Sequence, residues 1–152
     1  MPARQRRPEV SDAPVKTDTS RTALGKSALI VDDSAVIRKV ARRILETLDF
    51  SVRDAEDGRT ALALCAEAMP SVILLDWNMP NMDGYEVLRH LRQSPSGDRP
   101  KVLFCTTEND IGAIARALRA GADEYIMKPF DREIMMAKLD QVGFPMRPSQ
   151  AA

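Results

Sequence analysis

The sequence has little of what marks disulfide-rich, secreted or membrane proteins. Its two cysteines, Cys65 and Cys105, lie in apolar runs without metal-ligand spacing to another Cys or His, which predicts free core thiols. No apolar run approaches the roughly 20 residues that span a bilayer, and the N-terminus lacks the apolar core of a secretory signal. Basic residues (Lys and Arg) and acidic residues (Asp and Glu) both number 22, so the chain lacks the excess of positive charge that would predict nucleic-acid binding. These absences indicate a cytoplasmic protein with no membrane span.

The first 26 residues differ in composition from the rest. They contain three prolines, many Ser and Thr, no aromatic residue, and six basic side chains against three acidic ones. Such a segment cannot bury enough apolar surface to offset the entropy lost on ordering. We therefore predict a disordered basic arm at residues 1–26, one domain at residues 27–144 and a short tail at residues 145–152.

Five short apolar segments alternate with segments of helical periodicity across the predicted domain. The predicted strands are residues 28–31, 52–55, 72–75, 102–105 and 125–127. Strands that alternate with helices predict a parallel sheet covered on both faces. The first, third and fourth strands are apolar throughout, as central strands are, whereas the second (SVRDA) and the fifth (DEYIM) carry charged residues, as edge strands can. This favours a doubly wound, flavodoxin-like α/β fold with strand order 2-1-3-4-5 and right-handed crossovers.

The predicted helices have capping residues and apolar faces. Four of them begin at a capping aspartate: Asp57, Asp83, Asp110 and Asp131. In the first helix the residues at helical spacing are Ile37, Val40, Ala41, Ile44 and Leu48. In the fourth helix we expect these residues to face inward: Ile111, Ile114, Ala115 and Leu118. The last helix carries Ile134, Met135, Leu139 and Val142, and Gly121 is expected to end the fourth.

Polar side chains follow four of the predicted strands. They are Asp32 and Asp33, then Asp76, Thr106 and Lys128. The carboxyl ends of parallel strands share one edge of the sheet, where ligands bind. Three crowded carboxylates repel one another, which predicts a hard cation with oxygen ligands, most naturally Mg²⁺. A cation, an ammonium and a hydroxyl around Asp76 predict phosphoryl transfer to that carboxylate.

Four motifs occur in order at compatible strand ends. They are VDDS at 31–34, LLDWNMPNMDG at 74–84, CTTE at 105–108 and GADEYIMKPF at 121–130. With these motifs, residues 27–143 closely resemble bacterial two-component response regulator receiver domains of the CheY-like, single-domain type. The resemblance implies that Asp76 is the phosphoacceptor. It also implies a Mg²⁺ site formed by Asp32, mainly through water, Asp33, Asp76 and the backbone carbonyl of Asn78.

The resemblance assigns further roles around this site. Thr106 and Lys128 would contact the phosphoryl oxygens, and the Lys128–Pro129 peptide bond would be cis. Tyr125 matches a switch aromatic that turns inward when Thr106 moves, although plain edge-strand packing is the alternative. Asn78 and Glu108 match positions that tune self-dephosphorylation in the chemotaxis type. Thr107 departs from the pattern, since a small Ala is common there.

The implied function is a phosphorylation switch in a phosphorelay or chemotaxis-like pathway. A sensor histidine kinase or a histidine phosphotransfer protein would phosphorylate Asp76, and the face of helix four, strand five and helix five would then bind a downstream target. The protein would catalyse only its own phosphorylation and dephosphorylation. Because the sequence ends soon after the last helix, we expect no DNA-binding or enzymatic output domain.

Two alternatives stay open at the level of sequence. One is a phosphatase of the haloacid dehalogenase type, although the expected D-x-D arrangement and cap domain are absent. The other is a phosphorylation-independent adaptor, or a module that binds a nucleotide second messenger through basic residues. Candidates are the arm residues Arg4, Arg6 and Arg7 and the first-helix residues Arg38, Lys39, Arg42 and Arg43. A solvated basic face is the default for that helix, and His90 is expected to be solvated as well.

Overall fold

The fold is a single five-stranded parallel sheet, seen in a computed structural model that describes residues 26–107 and 111–145. Its strands are β1 Ser27–Val31, β2 Ser51–Ala55, β3 Val72–Asp76, β4 Lys101–Thr106 and β5 Glu124–Met127. The order is β2-β1-β3-β4-β5, with every neighbouring pair parallel. This confirms the predicted fold class and strand order. The predicted arm up to residue 25 and the tail beyond residue 145 lie outside the described residues.

Five helices cover the two faces of the sheet. They are α1 Ala35–Thr47, α2 Gly58–Glu67, α3 Gly84–Gln93, α4 Ile111–Arg119 and α5 Arg132–Gln141. Side chains alternate along each strand, so Leu29 and Val31 pack towards α2, α3 and α4, whereas Ala28 and Ile30 pack towards α1 and α5. Each face therefore has its own buried cluster, and the sheet separates the two.

Local capping fixes where the helices begin. The carboxylates of Asp57, Asp83 and Asp131 each accept a hydrogen bond from the backbone N–H three residues later, as predicted. Asp83 and Glu86 complete a reciprocal capping box at the start of α3. Ser34, which the sequence analysis had not singled out, caps α1. The predicted cap of α4, Asp110, lies outside the described residues.

The apolar face predicted for α4 is wrong at two of its four positions, Ile111 and Leu118. Ile111 is 79 % exposed and Leu118 is 43 % exposed, whereas Ala117 is fully buried. The buried stripe runs through Ala117 and, in part, Ile114, which packs against the core. Because small residues lie on both stripes of α4, spacing alone could not show which one faces the sheet. The same ambiguity affects two other predicted core positions, Val40 at 42 % and Ile134 at 40 % exposure.

One side chain ties α3 to the segments on both sides of β4. The guanidinium of Arg92 donates hydrogen bonds to the carbonyl oxygens of Gly97 at 2.9 Å, Pro100 at 2.8 Å and Gly121 at 2.6 Å. It also pairs with the Asp123 carboxylate at 3.1 Å. A planar guanidinium can satisfy several acceptors at once, which a shorter or apolar side chain cannot do.

We expect Arg92→Leu to lower the free energy of unfolding by about 2 kcal/mol, because half-buried carbonyl groups lose their donors. Urea unfolding measures this loss. The exposed Arg43 on α1 provides the matched control, and Arg43→Leu should change stability by less than about 0.5 kcal/mol. Equal stability of the two variants would show that Arg92 does not hold these segments together.

Candidate functional site

The polar residues singled out from the sequence converge at the carboxyl edge of the sheet. Asp32 and Asp33 directly follow β1, and Asp76 ends β3, which pairs with β1. Thr106 ends β4, and Lys128 directly follows β5. The connections from β1 and β3 leave in opposite directions across the sheet, so this edge contains the topological switch point where ligands bind in such folds.

Three carboxylates form a compact cluster at this edge. One oxygen each of Asp32, Asp33 and Asp76 lies within 4.8 Å of the others. Asp32 and Asp76 are almost fully buried, at 2 % and 4 % exposure, whereas Asp33 is exposed. An all-oxygen donor set with one side open to solvent fits a hard divalent cation that keeps some of its waters, as Mg²⁺ does.

The ammonium of Lys128 bridges the two buried carboxylates. Its Nζ lies 2.8 Å from Oδ2 of Asp32 and 3.1 Å from Oδ1 of Asp76. Buried carboxylates attract a nearby cation strongly, since little water screens them. The Lys128–Pro129 bond is cis, as expected.

Burial and charge shift the proton affinities of this pair. Burial, followed by repulsion from Asp32, raises the pKa of Asp76, and the contact with Lys128 offsets only part of this effect. Burial lowers the pKa of Lys128, but its hydrogen bonds to Asp32 and Asp76 outweigh that effect, so the pKa of Lys128 is raised. Lys128 therefore stays charged at neutral pH. The ionised form of Asp76 is disfavoured, mainly by burial and then by the negative charge of Asp32.

Short contacts hold the Asp32 end of the site in place. Oδ1 of Asp32 accepts a hydrogen bond from the Ser34 N–H at 2.9 Å. The Arg38 side chain donates to the Asp32 carbonyl oxygen at 2.7 Å and lies 4.0 Å from Asp54 on β2. The default prediction of a solvated basic face on α1 is therefore wrong for Arg38, and also for Arg42, which pairs with Asp54 at 3.4 Å. The sequence signal that could have predicted these ion pairs was the acidic residue on β2, the strand that directly follows the basic helix α1.

The remaining predicted site residues lie close by, with one exception. Thr106 is buried at the end of β4, and the exposed Asn78 follows Asp76 by two residues and donates its N–H to Oδ1 of Asp76 at 3.4 Å. Tyr125 is half-buried, its ring centre 6.2 Å from that of Phe104, with the Lys138 ammonium 4.1 Å from its own ring centre. Glu108 lies outside the described residues, so its tuning role stays a prediction.

Trp77 connects the site to the core. It is buried next to Asp76, with ring centres 5.0 Å from Phe104 and 6.0 Å from Tyr85. Its backbone N–H donates to the carbonyl oxygen of Cys105 on β4 at 2.9 Å. Because it is the only tryptophan, its fluorescence reports on this region alone.

The raised pKa of Asp76 predicts a pH-dependent stability in EDTA. A carboxyl whose pKa is higher in the folded than in the unfolded state stabilises the fold when protonated, and this contribution is lost as pH rises through the folded pKa. At neutral pH we therefore expect Asp76→Asn to be more stable than the parent protein. The difference should shrink on acidification in urea unfolding. A variant that is less stable at neutral pH would contradict this.

Comparisons with known proteins agree with the fold and identify a family. The model of the response regulator receiver domain family matches residues 28–140. The chain is similar to the response regulator MprA of Mycolicibacterium vanbaalenii, with 40 % identity over 111 residues, which are 73 % of this chain and 47 % of that protein. MprA of Mycobacterium bovis BCG is 37 % identical over 124 residues, covering 82 % of this chain and 53 % of its own. The chain thus spans about half the length of these curated relatives.

Solved structures show the same architecture. The Vibrio cholerae chemotaxis protein CheY4 superposes with a TM-score of 0.73 at 34 % identity, over 76 % of this chain and 97 % of that one. The receiver domain of a Syntrophus aciditrophicus signal transduction histidine kinase gives 0.69 at 29 % identity, over 77 % and 89 %. Among the described residues, no helix combines the length and apolar character that crossing a membrane requires.

Proposed function

The chain belongs to the response regulator receiver domain family of two-component systems, and from that premise we propose that it accepts a phosphoryl group on Asp76 from a phosphohistidine. The donor would be a sensor histidine kinase or a histidine phosphotransfer protein. The observation that carries the proposal is a buried Asp76 carboxylate that clusters with Asp32 and Asp33 and lies 3.1 Å from the Lys128 ammonium, which also contacts Asp32.

Asp76 is the best candidate among the three carboxylates. Both oxygens of Asp32 accept hydrogen bonds, Oδ1 from the Ser34 N–H and Oδ2 from the Lys128 ammonium, and Asp33 is exposed at the rim. The contacts that Asp76 receives from Lys128 and the Asn78 N–H are both at Oδ1. Asp76 lies on the central strand β3, between the acidic pair after β1 and the Thr106 and Lys128 side chains beyond β3. It therefore lies between a strand that supplies acidic residues able to hold a metal ion and the strands that supply a hydroxyl and an ammonium, which are the groups that an aspartyl phosphate requires.

In the proposed transfer, a carboxylate oxygen of Asp76 forms a bond to phosphorus while the bond from phosphorus to the donor imidazole nitrogen breaks, and the imidazole keeps that electron pair. Asp33, Asp76 and the Asn78 carbonyl would hold Mg²⁺, with Asp32 acting through water. The bound ion would neutralise charge on the phosphoryl oxygens. Lys128 and the Thr106 hydroxyl would each contact one of those oxygens, with Lys128 moving away from Oδ1 of Asp76.

The proposed output is a change in the face formed by α4, β5 and α5. Movement of Thr106 towards the phosphoryl group would leave room for Tyr125 to turn inward. Ile111 and Leu118 already provide exposed apolar area on α4 for a partner protein. A chemotaxis-like pathway, a cytoplasmic location and a domain at residues 27–144 belong to the same proposal, as do the tuning roles of Asn78 and Glu108.

The proposal is tested by incubation with acetyl phosphate. We expect the intact mass to rise by one phosphoryl group when Mg²⁺ is present and to stay unchanged in EDTA, because the carboxylates otherwise repel the donor. Trp77 fluorescence should change on addition of Mg²⁺ and again on addition of the donor. Incorporation that is equally fast in EDTA would contradict the metal site. Turnover of a phosphate ester in large excess over protein would favour a phosphatase instead.

A further inference from the structure

Two arginines lie over one tyrosine ring on the face between α3 and α4, and a third, Arg119, lines the pocket beside that ring. The guanidinium carbon of Arg116 lies 4.7 Å from the centre of the Tyr85 ring, and that of Arg89 lies 5.9 Å from it. Beside them is an open pocket of about 310 Å³ lined by Tyr85, Arg116, Arg119 and Ala120. None of these residues belongs to the site around Asp76.

These arginines have no acidic partner within residues 26–107 and 111–145. Two half-buried arginines elsewhere contact an aspartate: Arg42 pairs with Asp54 at 3.4 Å and Arg92 with Asp123 at 3.1 Å. Arg89, Arg116 and Arg119 form no such ion pair in this described part of the chain, and all three are exposed. Within the described residues, these three positive charges therefore have no acidic partner.

Helix electrostatics and ring contacts explain only part of this arrangement. Arg116 and Arg119 lie in the last turn of α4, where the helix dipole favours positive charge. A guanidinium stacked on an aromatic ring still presents its N–H groups at the edge of its plane. The stack also limits the conformations of the Arg116 side chain, so less entropy is lost when those N–H groups bind a ligand.

The charge and the size of the pocket indicate the class of ligand. Arginine forks bind phosphate and carboxylate groups in a bidentate manner, and a phosphate monoester adds nearly two negative charges where a carboxylate adds one. A volume of about 310 Å³ lies at the lower end for small-molecule sites and is too small for an extended peptide. With Arg116 already close to the Tyr85 ring, a ligand is held through its charged group rather than by stacking on that face.

We propose that the pocket between α3 and α4 is an anion site that binds the phosphate group of a small phosphorylated molecule through Arg116 and Arg119. This goes beyond phosphorylation of Asp76 and needs neither that residue nor Mg²⁺. Tyr85 contacts Trp77 edge to face at 6.0 Å, so a charged ligand bound to Arg116 over the Tyr85 ring changes the electrostatic surroundings of the tryptophan. Binding therefore has an optical signal.

The test is a titration of the full chain with inorganic pyrophosphate in EDTA at low ionic strength. EDTA removes divalent cations, so the carboxylates at the sheet edge repel the anion and the site around Asp76 does not bind it. Trp77 fluorescence and calorimetry should both show saturable one-to-one binding. Arg116→Gln and Arg119→Gln should each weaken it about tenfold or more, because each removes a charge-assisted contact. Arg43→Gln, which removes an exposed arginine on α1, should leave it unchanged. Thermal melts of all variants confirm that they fold.

The outcomes separate the sources of the ligand. If a nucleoside diphosphate binds at the same arginines more tightly than pyrophosphate, the natural ligand is a nucleotide. If the two bind equally, the ligand is a phosphate compound whose base is not recognised. Absence of binding to either, or unchanged binding in Arg116→Gln, overturns the proposal. A glutamate-rich peptide that binds more tightly than pyrophosphate also overturns it, in favour of an acidic partner protein.

Discussion

Asp76→Asn should lower phosphoryl incorporation from acetyl phosphate by about 100-fold or more, since the amide offers no nucleophilic carboxylate oxygen. Asn is nearly the same size as Asp, and its carbonyl oxygen can still accept a hydrogen bond from the Lys128 ammonium. The fold and the remaining carboxylates, Asp32 and Asp33, should therefore be retained. The loss measured by intact mass thus reports the acceptor atom rather than a damaged site.

The matched control is Asp98→Asn, which neutralises an exposed aspartate in the loop between α3 and β4. This variant should incorporate the phosphoryl group at the rate of the parent protein. In the parent, the Trp77 signal should follow incorporation, and in Asp76→Asn the donor should produce no second change. If Asp76→Asn gained mass as fast as the parent, Asp32, Asp33 or another group would be the acceptor.

Lys128→Met should lower the free energy of unfolding in EDTA by about 4 kcal/mol at neutral pH. Removal of one partner from a buried ion pair leaves uncompensated charge in a poorly hydrated place. Here two buried carboxylates lose the same ammonium, which lies 2.8 Å from Asp32 and 3.1 Å from Asp76. Methionine fills most of the volume of the lysine stem, so lost packing contributes little. Urea unfolding provides the measurement.

Two further readings of the Lys128→Met variant identify the cause of the loss. Acidification should reduce the loss of stability, because protonated carboxyl groups no longer need a counter-charge. Millimolar Mg²⁺ should recover part of the lost stability by supplying a counter-charge. Lys39→Met, at an exposed position on α1, should change stability by less than about 0.5 kcal/mol. A loss at Lys128 that is insensitive to both pH and Mg²⁺ would point to packing instead of charge.

The fold and the placement of the site residues could be predicted because both follow from backbone rules. A parallel sheet brings the carboxyl ends of all its strands to one edge, so residues after β1, β3, β4 and β5 meet whatever their distance in sequence. Continuous apolar runs marked β1, β3 and β4 as central, and the parallel crossovers then left few possible strand orders. Asp33 and Asp76 were predicted to be neighbours on this basis alone.

Side-chain partners could not be predicted in the same way. Arg38 and Arg42 were expected in solvent, yet Asp54 on the adjacent edge strand lies within reach of both. Arg92 contacts carbonyl groups that are remote in sequence, which no periodicity reveals. On α4, Ala117 rather than Leu118 faces the core, because a helix buries the stripe that fits the sheet and not always its largest side chains.

The most direct measurement is a crystal structure with Mg²⁺ and beryllium trifluoride, a stable mimic of a phosphoryl group. We expect beryllium to be bonded to a carboxylate oxygen of Asp76, with Mg²⁺ held by Asp33, Asp76 and the Asn78 carbonyl. Lys128 and Thr106 should contact the fluorines. Beryllium trifluoride bound elsewhere, or a metal ion away from the three carboxylates, would contradict the assignment of Asp76 as the phosphoacceptor beside a metal site.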